Sequence, residues 1–273
     1  MTDDLAQFYF WFDFILVSVV GLCVGSFLNV VIYRLPLSFV HEGEDMSVAF
    51  PPSHCPACKH RISARDNIPL VSYFLLKGRC RFCQGKINFF YPLTEAVTLI
   101  GFIFTYLLVF DEGIGLFLLT VFLFSMLYVV SVTDFRFYII PDRLLLFLFV
   151  GGIIYSCLYG KVFFDIAGLV IYALIFAIIM FACESFSEKQ MLGMGDVKFY
   201  LSVVPWVGSL NFPFVILISS VTGLCLFTGW RLYVRKYYVP NKLTREIDAN
   251  KYIPFGPAIS IAVFIVYLVV LLK

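Results

Sequence analysis

Long apolar runs alternate with short polar segments along most of this chain. The first run covers residues 10–32, enough to cross a bilayer at about 1.5 Å per helical residue. Others cover about 93–110, 114–133, 143–160, 162–183 and 256–272. The stretch 197–234 is too long for one span, and Pro205, Gly208, Asn211 and Pro213 interrupt it. These breakers predict a short span over 197–209 and a full one over 213–233. Tight turns are expected at Asp111-Glu112-Gly113 and Tyr159-Gly160-Lys161. The fold class is therefore an all-α polytopic membrane protein of about eight transmembrane helices. Its organisation reads as a first helix (1–32), a small polar domain between helices 1 and 2 (33–92) and a seven-helix membrane domain (93–273). Gly21, Gly25 and Ser26 give the first helix a small-residue face suited to close packing.

Composition agrees with this reading: 61% hydrophobic residues, 14% charged and a mean hydropathy of +0.94 exclude an ordinary soluble domain. The net charge of +2 says little, but its placement orients the chain. The acidic start lacks the basic region of a cleaved signal, so the first run is expected to stay as a span. With that terminus periplasmic, segments 33–92, 134–143, 184–198 and 231–251 fall in the cytoplasm, and 18 of the 20 Lys and Arg fall with them. Merging 197–234 into one span leaves only 13 inside, so the eight-span reading is preferred. The six basic residues of 231–251 read as topology signals and lipid headgroup contacts rather than a substrate site. Membrane lipid is an expected partner; nucleic acid is not.

Cys55-Pro56-Ala57-Cys58 and Cys80-Arg81-Phe82-Cys83 are two C-x-x-C knuckles with 21 residues between them. Pairs so spaced clip a tetrahedral zinc from two sides. Cytoplasmic thiols stay reduced, which favours structural zinc over disulfides. Four protein ligands leave no open position for catalysis. His54 and His60 flank the first knuckle and are reserve ligands only.

A carboxylate at the edge of a span is costly and marks a candidate site. Asp196 stands in Gly193-Met194-Gly195-Asp196-Val197-Lys198, where glycines leave room for another backbone. Taken alone, this stretch also reads as a helix cap. Asp134, at the end of the third span, faces the same aqueous side although 62 positions separate the two acids. Two neighbouring carboxylates share a proton, and such a pair performs aspartic-protease chemistry. Asp142 is a rival partner, but an acid after Pro141 at a helix start is ordinary.

Several motifs in order carry a resemblance. They are Gly25 to Pro36, the two knuckles, Asn67 to Tyr73, Gly78 to Cys80, Tyr91 to Glu95, Asp134 with Ile140-Pro141-Asp142, Gly193 to Lys198, and Pro254-Phe255-Gly256-Pro257. Together they resemble the type 4 prepilin peptidases, membrane aspartic proteases of the GxGD kind. One departure is Phe90, where a basic residue is expected. The resemblance implies catalytic Asp134 and Asp196, with Gly193 and Gly195 admitting the substrate strand. It implies cleavage of a type IV prepilin or pseudopilin after a leader glycine, at the cytoplasmic face of a bacterial inner membrane. It also implies N-methylation of the new terminus with S-adenosylmethionine, in the cytoplasmic region that holds the knuckles. No glycine-rich dinucleotide fingerprint marks a site for that donor; Glu95 and Asn67 are candidate contributors, or packed caps. The rival classes are an ion-coupled transporter, which places acids at the midplane within inverted repeats, and a scaffold, which leaves the Gly-x-Gly-Asp stretch without a role. A presenilin-type protease is the nearest enzymatic rival.

Overall fold

A computed structural model describes residues 2–37, 52–186, 193–237 and 254–272. Met191, Leu192, Lys242, Arg245 and Lys251 lie outside the described residues. Within these limits the chain is helical, and its only β pairings are two isolated bridges. The helices are α1 (Thr2–Leu37), the short α2 (Val71–Leu75), α3 (Phe90–Val109), α4 (Ile114–Phe137), α5 (Asp142–Leu158), α6 (Val162–Phe186), α7 (Met194–Val207), α8 (Phe212–Tyr237) and α9 (Gly256–Leu271). Each expected apolar run is a helix, and the expected break falls between α7 and α8. There Gly208 ends α7 at φ +80°, a conformation that suits glycine. Among the described residues five helices are long and apolar enough to cross a membrane. Among them α6 has an apolar surface that stays exposed, as Phe163, Phe164, Ile178 and Phe181 show. A helix apolar all round and unburied by protein suits a lipid environment.

The chain forms two compact units, Met1–Val121 and Phe122–Lys273. In the first, α1 packs on α3 through its small residues. A Cβ at Gly21 would stand 3.0 Å from Cβ of Phe102, and one at Gly25 would stand 2.8 Å from Cα of Glu95. The expected small-residue face is thus used, and larger side chains there would force the helices apart. Val17, Phe102, Tyr106, Phe117 and Val121 form the adjoining core.

In the second unit α7 is the central element. It packs against α5, α6 and α9. Its Trp206 is fully buried, stacks on Tyr155 at 5.5 Å and donates its ring N–H to the Leu148 carbonyl at 2.7 Å. Gly151 and Gly152 of α5 make room, since a Cβ on either would reach the indole at 2.8 Å. Just past the same end of α7, Asp165 accepts from Ser156 Oγ and, at 3.0 Å, from the Ser209 N–H. This buried carboxylate ties α5, α6 and the α7–α8 turn together. It was invisible in the sequence because an acid in a first helical turn looks like an ordinary cap.

Candidate metal centre and active site

The cysteine loop of the first unit is built from two like halves. Cys55 N–H donates to His60 O and Lys59 N–H to Cys55 O; Cys80 N–H donates to Gly85 O and Gln84 N–H to Cys80 O. Each half turns just after its second cysteine, at Lys59 (φ 60°) and Gln84 (φ 58°). Each is closed by a bridge, His54 to Arg61 and Arg79 to Lys86. This geometry aims the four sulfurs at one point. Cys55 and Cys83 are 3.8 Å apart, Cys58 and Cys80 are 4.0 Å apart, and all four sulfurs lie within 4.8 Å of one another. Ligands of a tetrahedral zinc stand about 3.8 Å apart, given a Zn–S bond near 2.3 Å, so the donor set fits such an ion. The histidines are not part of the cluster. Backbone N–H groups of Cys83 and Phe82 point at Cys80 and hold its thiol down to about 7, a start toward the thiolate that a metal needs. Arg81 grips Asp66 with two nitrogens at 2.6–3.0 Å and holds that carboxyl below its usual range.

The loop is joined to the helices of its own unit at Glu95. Its Oε2 accepts the Leu70 N–H at 2.7 Å, and Ser26 donates to the same carboxylate. Leu70 is held at φ 59°, ψ −50°, with Val71 N–H bonded to Pro69 O at 2.6 Å. That is a γ-turn of the strained hand, which persists only where its surroundings enforce it.

Both candidate acids lie in the second unit. Asp134 lies one turn before the end of α4 and is buried. Tyr138, at φ 55°, bonds back to the Asp134 carbonyl at 2.8 Å and closes the helix. Asp196 is half-buried in the first turn of α7. It is not the N-cap: Gly193 is, and Asp196 follows three residues later, where a carboxylate faces the positive end of the helix dipole. The sequence-based capping idea is corrected in position, not in electrostatic sense. The Asp196 carboxylate folds back over Gly193, so a Cβ there would meet its Oδ2 at 2.9 Å. Gly195 faces Ile140 instead, at an ordinary 3.6 Å. The two aspartates lie within electrostatic reach of each other. Asp142 is engaged elsewhere, on an exposed surface, where both its oxygens accept from Lys198 Nζ at 2.8 and 2.9 Å.

One contact at this site had no functional reading in the sequence. The N–H of Gly256, first residue of α9, donates to Asp134 Oδ2 at 2.6 Å. Early helical N–H groups lack an intrahelical acceptor, and this one finds a carboxylate. A Cβ at position 256 would stand 2.9 Å from Cβ of Asp134, so the contact requires glycine. The available signal was the Gly256-Pro257 pair at a helix start.

The arrangement can be set beside known proteins. A type 4 prepilin-like proteins leader peptide-processing enzyme of Escherichia coli is 34% identical over 266 residues, 90% of each chain. The chain belongs to the type IV leader peptidase family. The model of that family matches residues 121–228, and the bacterial peptidase A24 N-terminal domain matches 19–109. Two further relatives carry the name prepilin leader peptidase/N-methyltransferase. That of Aeromonas salmonicida is 33% identical over 287 residues, covering 97% of this chain and 94% of its own. That of Neisseria gonorrhoeae is 30% identical over 280 residues, covering 92% and 89%. No solved structure matches. Within the family match 121–228 lie both Asp134 and Asp196, whereas the knuckles and Glu95 lie in the N-terminal match.

Proposed function

We propose that this protein is a membrane aspartic endopeptidase that removes the leader of type IV prepilins or pseudopilins and then N-methylates the new terminus. The carrying observation is the pair Asp134 and Asp196, brought within electrostatic reach from two helices, with Gly256 N–H on Asp134 Oδ2. That donor keeps Oδ2 as an acceptor, so the proton shared by the pair sits on the other oxygens. One carboxylate takes a proton from water, whose oxygen attacks the scissile carbonyl carbon. The other carboxyl gives its proton to the carbonyl oxygen. Collapse of the tetrahedral intermediate breaks the C–N bond, and the leaving amine takes a proton from the first acid. The open side of Gly193 admits the substrate strand.

The reading includes eight spans with a periplasmic N-terminus, which puts the acids at the cytoplasmic face of a bacterial inner membrane. Basic leaders carry positive charge and stop at that boundary, where the apolar part of the substrate enters lipid. Residues 33–92 act as a zinc-binding domain, with structural zinc on Cys55, Cys58, Cys80 and Cys83. Metal binding supplies much of the folding free energy of a loop with so little core.

The test is cleavage of a prepilin by purified protein. Asp134→Ala and Asp196→Ala should each abolish cleavage while the protein still accumulates, and appreciable residual cleavage in either sinks the assignment. N-terminal sequencing of the product separates this reading from a presenilin-type protease, which cuts inside the apolar helix.

A further inference from the structure

The short helix α2 carries its polarity inside out. Val71, Phe74 and Leu75, at i, i+3 and i+4, share one face, and they are 48%, 71% and 74% exposed. Ser72 is buried instead, where its hydroxyl donates to the Arg65 carbonyl at 3.0 Å and accepts the Ile68 N–H at 2.9 Å. An apolar face left open in this way marks a surface that something covers. The depth of α2 says what. The residue before it, Leu70, gives its N–H to Glu95, which lies five residues past the start of α3 and so about 7.5 Å along that helix. From Phe90 onward α3 is long and apolar enough to cross a membrane. Toward α1 the loop leaves a cavity of about 330 Å³ lined by Ser26, Phe27, Val30 and Pro69, so the Glu95 bond rather than close packing sets that depth. Tyr73 turns the other way, its ring 6.5 Å from that of Phe89, the exposed residue just before α3. Thus α2 lies level with the first turns of a span.

Charge around α2 points the same way. Residues 52–89 hold seven Lys and Arg against one acid, Asp66, and Arg81 occupies that acid. Four thiolates on a doubly charged metal still leave the segment net positive. Lys77 stands two residues past α2, and Arg79 and Lys86 face each other across the second bridge. Gly78 joins that bridge to α2, giving its N–H to Tyr73 O and accepting the Ile87 N–H. Lys77, Arg79 and Lys86 are exposed, and none is in an ion pair among the described residues. We propose that α2 is an interfacial anchor: Val71, Phe74 and Leu75 sink into the headgroup layer of the protein's own bilayer, while Lys77, Arg79 and Lys86 bind anionic phospholipid. The apolar face of an interfacial helix lies about 5–10 Å deep, which matches the depth that Glu95 imposes. Aromatic rings suit the same layer, and basic side chains beside it draw anionic headgroups. Other occupants fit less well. The basic leader of the proposed substrate carries charge of the same sign, and a second copy would set these cations against their own kind. The strained turn at Leu70 gains a purpose, since it directs α2 down along α3.

The experiment uses the full chain in nanodiscs of phosphatidylcholine, with or without phosphatidylglycerol, and with a prepilin added. With p-benzoylphenylalanine in place of Phe74, illumination should give lipid adducts at that position, read by mass spectrometry. A Lys or Arg near an anionic surface contributes about fivefold to binding, so three contribute on the order of 100-fold. Amide exchange across α2 should therefore slow at least about tenfold when phosphatidylglycerol is present. Lys77→Gln, Arg79→Gln and Lys86→Gln combined should remove that difference between the two lipids. Phe74→Ser with Leu75→Ser should speed exchange in both lipids, and serves if the triple variant does not fold, since both side chains are exposed. Thermal unfolding in detergent reports that each variant is folded. Adducts on the prepilin or on a polypeptide of this sequence in place of lipid overturn the proposal and make α2 a protein-binding face. Exchange that ignores phosphatidylglycerol, or the absence of lipid adducts, overturns it as well.

Discussion

Substituting alanine for Gly256 tests the construction of the acid pair without touching either acid. The new Cβ would lie 2.9 Å from both Cβ and Oδ2 of Asp134 and 3.2 Å from Cγ. Carbon contacts relax to about 3.5–4.0 Å, so something must move by roughly 0.6–1 Å. Both partners sit on helices, at the last turn of α4 and the first residue of α9. The displacement therefore falls on the 2.6 Å hydrogen bond from Gly256 to Asp134 and on the direction of the carboxylate. A hydrogen bond to a charged group is worth about 1.5–3 kcal/mol, and each 1.36 kcal/mol in a barrier is about tenfold in rate. Misplacing a reacting group by about 1 Å costs on the order of 100-fold. Gly256→Ala should thus lower kcat for prepilin cleavage about 10- to 100-fold. The overpacking itself should cost about 1–3 kcal/mol of stability, measured by thermal unfolding in detergent. Gly115→Ala is the control, since nothing lies within 4 Å of its Cβ. A Gly256→Ala protein that cleaves within about twofold of the unaltered rate refutes the reasoning.

Three other outcomes are expected. Serine at Cys55 and Cys58 should remove stoichiometric zinc and make the loop sensitive to protease; equal metal content, measured by atomic absorption, would contradict the tetrathiolate site. Asp142→Asn should leave cleavage within about threefold, because an exposed ion pair such as Asp142–Lys198 is worth at most about 1 kcal/mol; loss of cleavage would promote Asp142 to the acid pair. Asp66 should titrate below the ordinary value near 3.9 because the Arg81 guanidinium favours its ionised form. Its pairing therefore helps the loop at all pH values above about 4 and is withdrawn as pH falls through the lower folded value. Isotope-edited infrared spectra should show that midpoint return toward the ordinary value in Arg81→Met.

Much of this was legible in the sequence because local chemistry determines it. Apolar runs of span length have to become helices in lipid, where every backbone N–H needs an internal partner. Gly208 and Pro213 mark the α7–α8 break because one reverses the backbone and the other donates no hydrogen bond. C-x-x-C spacing brings two sulfurs to one side of a metal before any tertiary contact forms. Gly21 and Gly25 announce a close helix neighbour by their four-residue spacing. What the sequence left open is partnership across long separations. Nothing local to Asp134 says that the N–H of Gly256, 122 positions later, will reach its Oδ2. Nor does the first turn of α6 reveal that Asp165 will be buried against Ser156 and Ser209. Asp196 looked like a cap, and only the path of the helix put Gly193 in that position. The sequence by itself thus determined the helices and the sulfur cluster, since each depends on residues near in the chain. The tertiary structure alone decided which backbone group serves which acid, and that Glu95 holds a strained turn beside a cavity. Those depend on the depth to which helices pack, and so on glycines whose missing side chains let distant segments touch.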